Sequence, residues 1–416
     1  MLYKTIVAAC LLSVIGCSTP PSSATTNALD STQFPAVRIA YTLELPLAEG
    51  ADFASTIKHV EFAPNSQTLL VQGTQSSLSA DHQSAQKHWL QLHDADTGTM
   101  TYAEDLSTTL GLSNVAGIDT GFISSDAFFI NVLVNNLNTV FDSRTSPGTV
   151  GHPRTLILRD ARDGTYLQHY SDIYISQRRG KYATTAIYLV NLATGERVET
   201  YYFPYGSPES ISPDGTVWSA SPDGWVFGVK EHSSENSERI EWKSELSNPY
   251  VFTTEDSSFV VAVGDDYRCE VRALPELNKA SACERPSLWS RLFTKNPKAG
   301  ASGGTAHPAS DTIALAWANT VDILTLDPFQ RINRLELDSR VTQLVMTETV
   351  LVTATRDKIV LADIKTGALI GHIPVQGYKP VISVSADGRL LAYYPGSRPY
   401  HDSSNTTQIK VFHLPI

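Results

Sequence analysis

Four times this chain writes an alternating run that ends in a polar turn closed by glycine. The runs are "LQLHDADTG" ending at Gly98, "LILRDARDG" at Gly164, "YLVNLATG" at Gly195 and "VLADIKTG" at Gly367. Period-two alternation reads as β-strand, and glycine accepts the left-handed backbone that lets a strand turn back. Gly195 and Gly367 stand 172 residues apart, four units of 43, with less regular corners between them near Ser233, Pro275 and Pro328. A short β unit recurring at a fixed period cannot bury its apolar faces alone. It must stack against copies of itself.

A second corner recurs. Ser-Pro-Asp-Gly occurs at Ser212–Gly215 and again at Ser221–Gly224, and Ser385-Ala386-Asp387-Gly388 repeats the pattern near the C-terminus. Two carboxylates and two serines so close together invite thoughts of a metal or of acid–base chemistry. The architectural reading is stronger: Pro213 presets φ, Asp214 caps its own turn, and Gly215 takes positive φ. The first copy then joins a strand a to strand b, "TVWSA", and the second joins b to strand c, "WVFGVKE". The stretches "HVEFAPNSQTLLVQG", "VFTTEDSSFVVAVGDD" and "VISVSADGRLLAYY" follow the same plan. No segment after residue 31 shows a long helical stripe.

A β period of about 40–45 residues is that of four-stranded propeller blades. The expected fold is all-β: one propeller of seven or eight four-stranded blades over residues 36–416. The spacing leaves that choice open, because Gly164 and Gly195 stand only 31 residues apart while Gly98 and Gly164 stand 66 apart. One unit is irregular or carries an insertion. The last unit, ending in "QIKVFHLPI", has strands a, b and c but no d, whereas "AVRIAYTLELP" (36–46) is a free β run at the other end. Closing the ring with that N-terminal strand would remove two exposed sheet edges.

On its "SPDG" and "D-x-x-TG" corners the chain resembles the WD40-like β-propellers in their broad bacterial sense, within the YVTN- and quinoprotein-like group. The resemblance covers roughly residues 36–416. No recurring Trp-Asp or Gly-His signature accompanies it. Quinoprotein-type repeats place a tryptophan four residues after the glycine of the corner, but here those places hold Tyr102, Gln168, Glu199 and Gly371. A quinone cofactor is therefore not implied. Propeller lipoproteins of the outer-membrane assembly machinery share that repeat without a cofactor.

The first seventeen residues, "MLYKTIVAACLLSVIGC", stand apart: Lys4 precedes an apolar run, Thr5–Ile15, too short to span a bilayer. Val14-Ile15-Gly16-Cys17 resembles the bacterial lipobox, which implies cleavage before Cys17 and a lipid on its thiol. Ser18 behind the cysteine implies an outer-membrane destination, where the chain is expected to face the periplasm. Residues 18–35, opening "STPPSSATTNALDS", read as a flexible tether. Of four cysteines, Cys10 leaves with the signal and Cys17 carries lipid. That leaves Cys269 and Cys283, flanking a strand–turn–strand stretch in an oxidising compartment, as a disulfide. No histidine lies near enough for a zinc motif.

The formal net charge is −11 with no long basic run, so nucleic acid is not an expected partner. The chain has no G-x-S-x-G elbow, H-E-x-x-H helix, Walker A loop or C-x-x-C pair. No catalytic or metal residue and no cofactor is assigned. His59 and His307 fall at inner strands, where channel lining is the plainer reading, and Asp265-Asp266 reads as a turn. Two tyrosine-rich stretches stand out as a binding surface: Tyr201, Tyr202 and Tyr205 in "YYFPYGSP", and Tyr393, Tyr394, Arg398 and Tyr400 in "YYPGSRPYHD". Packing between blades is the competing role for both. The expected function is a monomeric, lipid-anchored, non-catalytic scaffold that binds a protein or peptide in the cell envelope. The alternatives are a lactonase-like or other hydrolytic propeller with a channel-bound Ca²⁺, and a glycan-binding lipoprotein.

Overall fold

Polar corners and apolar runs alternate along the chain, and each run becomes a strand. The computed structural model describes residues 37–45, 53–77, 86–110, 115–134, 154–171, 175, 177–184, 188–199, 210–230, 238–264, 268–277, 279–283, 301–309, 311–375, 380–395 and 408–415. Its strands form eight four-stranded antiparallel sheets. Seven are consecutive meanders spanning 53–105, 115–171, 177–199, 210–243, 250–282, 301–336 and 341–374, here blades one to seven. The eighth joins Val381–Val384, Leu390–Tyr394 and Gln408–His413 to the N-terminal strand Ile39–Glu44. The protein is an eight-bladed β-propeller, which decides between the seven and eight blades left open by the corner spacing. The 31-residue interval is a small third blade whose strands run three to four residues. The 66-residue interval holds blade two, whose strands b and c are separated by residues 135–153.

The ring closes through the N-terminal strand. Ile39–Glu44 pairs antiparallel with Gln408–His413, with Tyr41 opposite Val411 and Leu43 opposite Ile409. The first strands of neighbouring blades pack side by side, and the first strand of blade eight lies against that of blade one. Blades two and three meet through Phe129, Leu156 and Leu158 against Ala183, Val190 and Leu192. Because every blade is covered on both faces, its middle strands lose the alternation of a half-exposed strand. Thr312–Trp317 and Val350–Thr355 are buried at every position. Each fully buried Leu, Val or Phe contributes about 1.5–3 kcal/mol.

The corners behave as their residues dictate. Asp214 accepts the Thr216 amide at 3.1 Å, Asp387 accepts the Arg389 amide at 3.1 Å, and Gly215 has φ 88°. At the c–d corners, Asp94 accepts both the amide and the hydroxyl of Thr97, and Asp363 does the same with Thr366. The glycines there also serve the neighbouring blade. The Tyr41 ring lies over Gly98, Tyr102 over Gly164 and Tyr170 over Gly195, so that a Cβ on those glycines would come within 2.6, 2.3 and 2.0 Å of the rings. In each case the outer strand of one blade clasps the c–d corner of the next. Tyr41 adds a 2.6 Å hydrogen bond to the Ala95 carbonyl, and Asn333 makes the equivalent bond to the Thr366 carbonyl between blades six and seven.

Cys269 and Cys283 form a disulfide inside blade five, with Cα atoms 4.8 Å apart. Cys269 opens strand c and Cys283 follows strand d, so strand pairing brings the two thiols together.

Candidate functional site

Strand direction sorts every connection onto one of two rims. Successive strands of a meander run in opposite directions, so a–b and c–d corners leave one rim while b–c and d–a connections leave the other. The a–b and c–d rim consists mainly of short turns rich in carboxylates, among them Asp94, Asp96, Asp160, Asp163, Asp214, Asp256, Asp363 and Asp387. Several are fixed as anions by their own turns: the Thr97 hydroxyl holds Asp94 below the usual carboxylate range, Thr366 does so for Asp363, and Arg162 brings Asp160 down to about 2. Corners are also tied across blades. Ser66 Oγ accepts the Asp387 amide at 3.0 Å, and His307 Nε2 lies 2.9 Å from the Glu348 carbonyl. This rim is acidic and closely tied.

The opposite rim carries the long connections. Val134 leads to Arg154, Ala282 to Ala301, Glu199 to Ser210 and Tyr394 to Gln408 on that side. The strand ends that flank the two tyrosine stretches, Glu199 and Ser210 and then Tyr394 and Gln408, lie on this side, nearly opposite each other around the ring. Tyr201, Tyr202, Tyr205, Arg398 and Tyr400 lie outside the described residues, as do Cys17 and Asp265-Asp266.

For Tyr393 and Tyr394 the structure corrects the surface reading. Both belong to strand b of blade eight and are only 4 % and 3 % exposed. They point to opposite faces of the strand, Tyr393 into the core shared with blade seven and Tyr394 into that shared with blade one. In a blade covered on both sides, adjacent aromatics fill both seams. The loop begins after them.

Around the axis the first strands carry a mixed set of polar groups. His59 Nε2 lies 2.8 Å from Glu61 Oε2. Arg179 of blade three reaches across two neighbours, donating to the Ile211 carbonyl at 3.2 Å and to Thr253 Oγ1 at 3.0 Å and pairing with Glu255 at 2.7 Å. Gln343 of blade seven pairs with the backbone of Ile382 in blade eight through both ends of its amide. The Arg179 and Gln343 bonds tie the innermost strands to one another. Among the described residues no group of three His, Cys, Asp or Glu side chains is placed to hold a metal ion. His307 belongs to an a–b corner, bonded to its own turn through Nδ1 and to the next blade through Nε2, rather than to an inner strand.

A buried charged network, unmarked by any motif, joins blades one and two. Tyr102 donates to Glu104 at 2.7 Å, Glu104 pairs with Arg159 at 3.0 Å, and Arg159 donates on to the Gly164 carbonyl at 3.3 Å. Its cue in the sequence was only the tyrosine at the position where quinoprotein repeats place tryptophan.

No protein-family description matches the chain, and no curated protein shows significant similarity to it. Among solved structures the chain is similar to one in the crystal structure of the mitotic checkpoint complex. The two share 12 % identity over 99 % of each chain, with a TM-score of 0.46. The propeller assignment rests on strand order and pairing.

Proposed function

We propose that this protein is a lipid-anchored propeller of the cell envelope, held at the outer membrane through Cys17, that acts as a non-catalytic scaffold for a protein or peptide. The observation that carries the binding surface is the asymmetry of the rims. One is built of turns bonded to themselves and to their neighbours. The other receives the long connections, free to vary on a rigid ring. The partner docks on that second rim, where residues 201–208 and 395–402 supply Tyr201, Tyr202, Tyr205, Arg398 and Tyr400. Tyrosine gives broad amphipathic contact at low entropy cost, and a hot spot is worth at least ~2 kcal/mol when truncated. The anchor rests on the lipobox-like run before Cys17, and the outer-membrane destination on Ser18.

The test has two arms. Replacing Cys17 with serine should release the chain from membranes; a variant that sediments with membranes as wild type does would overturn the anchor. Proximity labelling from the native protein should yield a reproducible envelope partner, and its labelling should fall when Tyr201, Tyr202, Tyr205 and Tyr400 become serine. Equal labelling by a variant that melts like wild type would move the binding face off this rim.

A further inference from the structure

The seam between blades seven and eight is incompletely filled. Its inner part is dense, with Val352, Leu361 and Leu391 wholly buried. Further out, a pocket of about 280 Å³ remains, walled by Ile373 and Pro374 of blade seven and by Val37, Ile39, Tyr393, Pro395, Gln408, Lys410 and Phe412 of blade eight. Ile39, one of its walls, is an apolar side chain 52 % exposed on the closure strand. Gln408, Lys410 and Phe412 alternate along one strand and share the face turned toward the pocket.

The wall is apolar except for two side chains, and only one is charged. Gln408 is engaged with Glu44 at 3.4 Å. Lys410 makes no ion pair with any described residue, in a protein whose formal charge is −11. Other cations on this molecule have a carboxylate at hand, as Arg334 has Asp322 and Lys358 has Asp338. A lone ammonium beside seven apolar or aromatic walls complements a small amphiphile with one anionic head.

We propose that this pocket binds a medium-chain fatty carboxylate, its head on the Lys410 ammonium and its chain along Ile373, Tyr393 and Phe412. The volume lies just under the usual range of small-molecule sites, roughly 300–1,000 Å³, which favours a small ligand. At about 30 Å³ per non-hydrogen group, the share of a water molecule in the liquid, it holds about nine such groups, close to the size of octanoate with its head at the mouth. A peptide tail ending in a carboxylate would bring backbone amides into a wall that offers them few polar partners, and buried unpaired amides are costly. The site adjoins the rim proposed for protein binding at Pro395, but it rests on Lys410, Ile373 and Phe412 rather than on the rim tyrosines, so its test is independent of that reading.

The probe is carboxyl-labelled octanoate, followed by NMR on the full chain, with octan-1-ol as the neutral control. Octanoate should bind saturably, and octanol about tenfold or more weaker, the factor expected of a hydrogen bond to a charged group. Lys410→Gln should lose a similar factor, Lys410→Arg should retain binding, and Ile373→Trp should abolish binding by filling the pocket. Unchanged thermal melting of the variants shows that the fold survives. No saturable octanoate binding, or binding to Lys410→Gln within twofold of wild type, overturns the proposal. An apolar tripeptide with a free carboxylate that binds more tightly than octanoate overturns the ligand class.

Discussion

Replacing Gly98 with alanine tests the clasp that locks the ring shut. Two costs should appear together. Gly98 sits at φ 72°, where an L-residue loses about 1–2 kcal/mol. The new Cβ would also lie 2.6 Å from the Tyr41 ring, well inside contact distance, so the ring must leave. Tyr41 is half-buried; displacing it forfeits about half the ~1.5–3 kcal/mol of a fully buried aromatic, and the hydrogen bond to Ala95 adds about 1 kcal/mol. Together these give about 3–4.5 kcal/mol. Gly180 is the internal control: its φ is 52°, but nothing lies within 4 Å of the site a Cβ would take, so Gly180→Ala should show the backbone cost alone. In a Tyr41→Ala background Gly98→Ala should cost the backbone share and a small shift of the Leu43 methyl 3.1 Å from the new Cβ, leaving a coupling of about 1 kcal/mol or more. Urea unfolding gives the four corners of the cycle, and amide exchange over Ile39–Glu44 shows whether the loss is local to the closure strand. A coupling under ~0.5 kcal/mol, or a Gly98→Ala cost equal to that of Gly180→Ala, would refute the clasp.

Three further outcomes are expected. Reducing the Cys269–Cys283 bridge, or replacing both cysteines with alanine, should lower stability by about 3 kcal/mol in the chain-entropy account for a loop with sequence separation 14, read by urea unfolding; thiol labelling of unreduced, denatured protein should find neither cysteine free. Glu104→Gln should cost about 3 kcal/mol or more because it leaves Arg159 buried without its counter-charge, whereas Glu104→Leu with Arg159→Met should recover most of the loss. Stability should fall at both pH extremes, followed by thermal melting across pH. The turn carboxylates Asp94, Asp160 and Asp363 titrate below their unfolded values, so their contribution is present above about pH 4 and lost as pH falls through the folded values. Burial raises the phenols of Tyr41 and Tyr102, so their contribution is complete below about pH 10 and lost above it; phenylalanine at both positions should remove that alkaline part.

The tyrosines show where sequence reasoning stopped. "YYPGSRPYHD" reads as a loop because Pro395 and Gly396 follow at once, yet Tyr393 and Tyr394 still belong to the strand. Nothing local distinguishes a tyrosine that ends a buried strand from one that begins an exposed loop. Lys410 gave no signal either, since an isolated lysine in "QIKVFHLPI" is ordinary on a strand. The Tyr41, Tyr102 and Tyr170 clasps were hidden for a related reason: each tyrosine is on one blade and its glycine on the next.

What the sequence determined by itself was local and periodic. Corner chemistry fixed where strands end, because positive φ at Gly98, Gly164, Gly195, Gly215 and Gly367 is a property of the backbone alone. The missing last strand and the free run at 36–46 together fixed how the ring would close. Tertiary structure decided the rest: the count of eight, the burial of Tyr393 and Tyr394, and the gap left at the outer seam of blades seven and eight. Each depends on which blade faces which, and at what distance. A repeat encodes its own turns in the residues that make them, but its seams are filled by side chains from two units far apart in sequence, and only the closed ring brings those together.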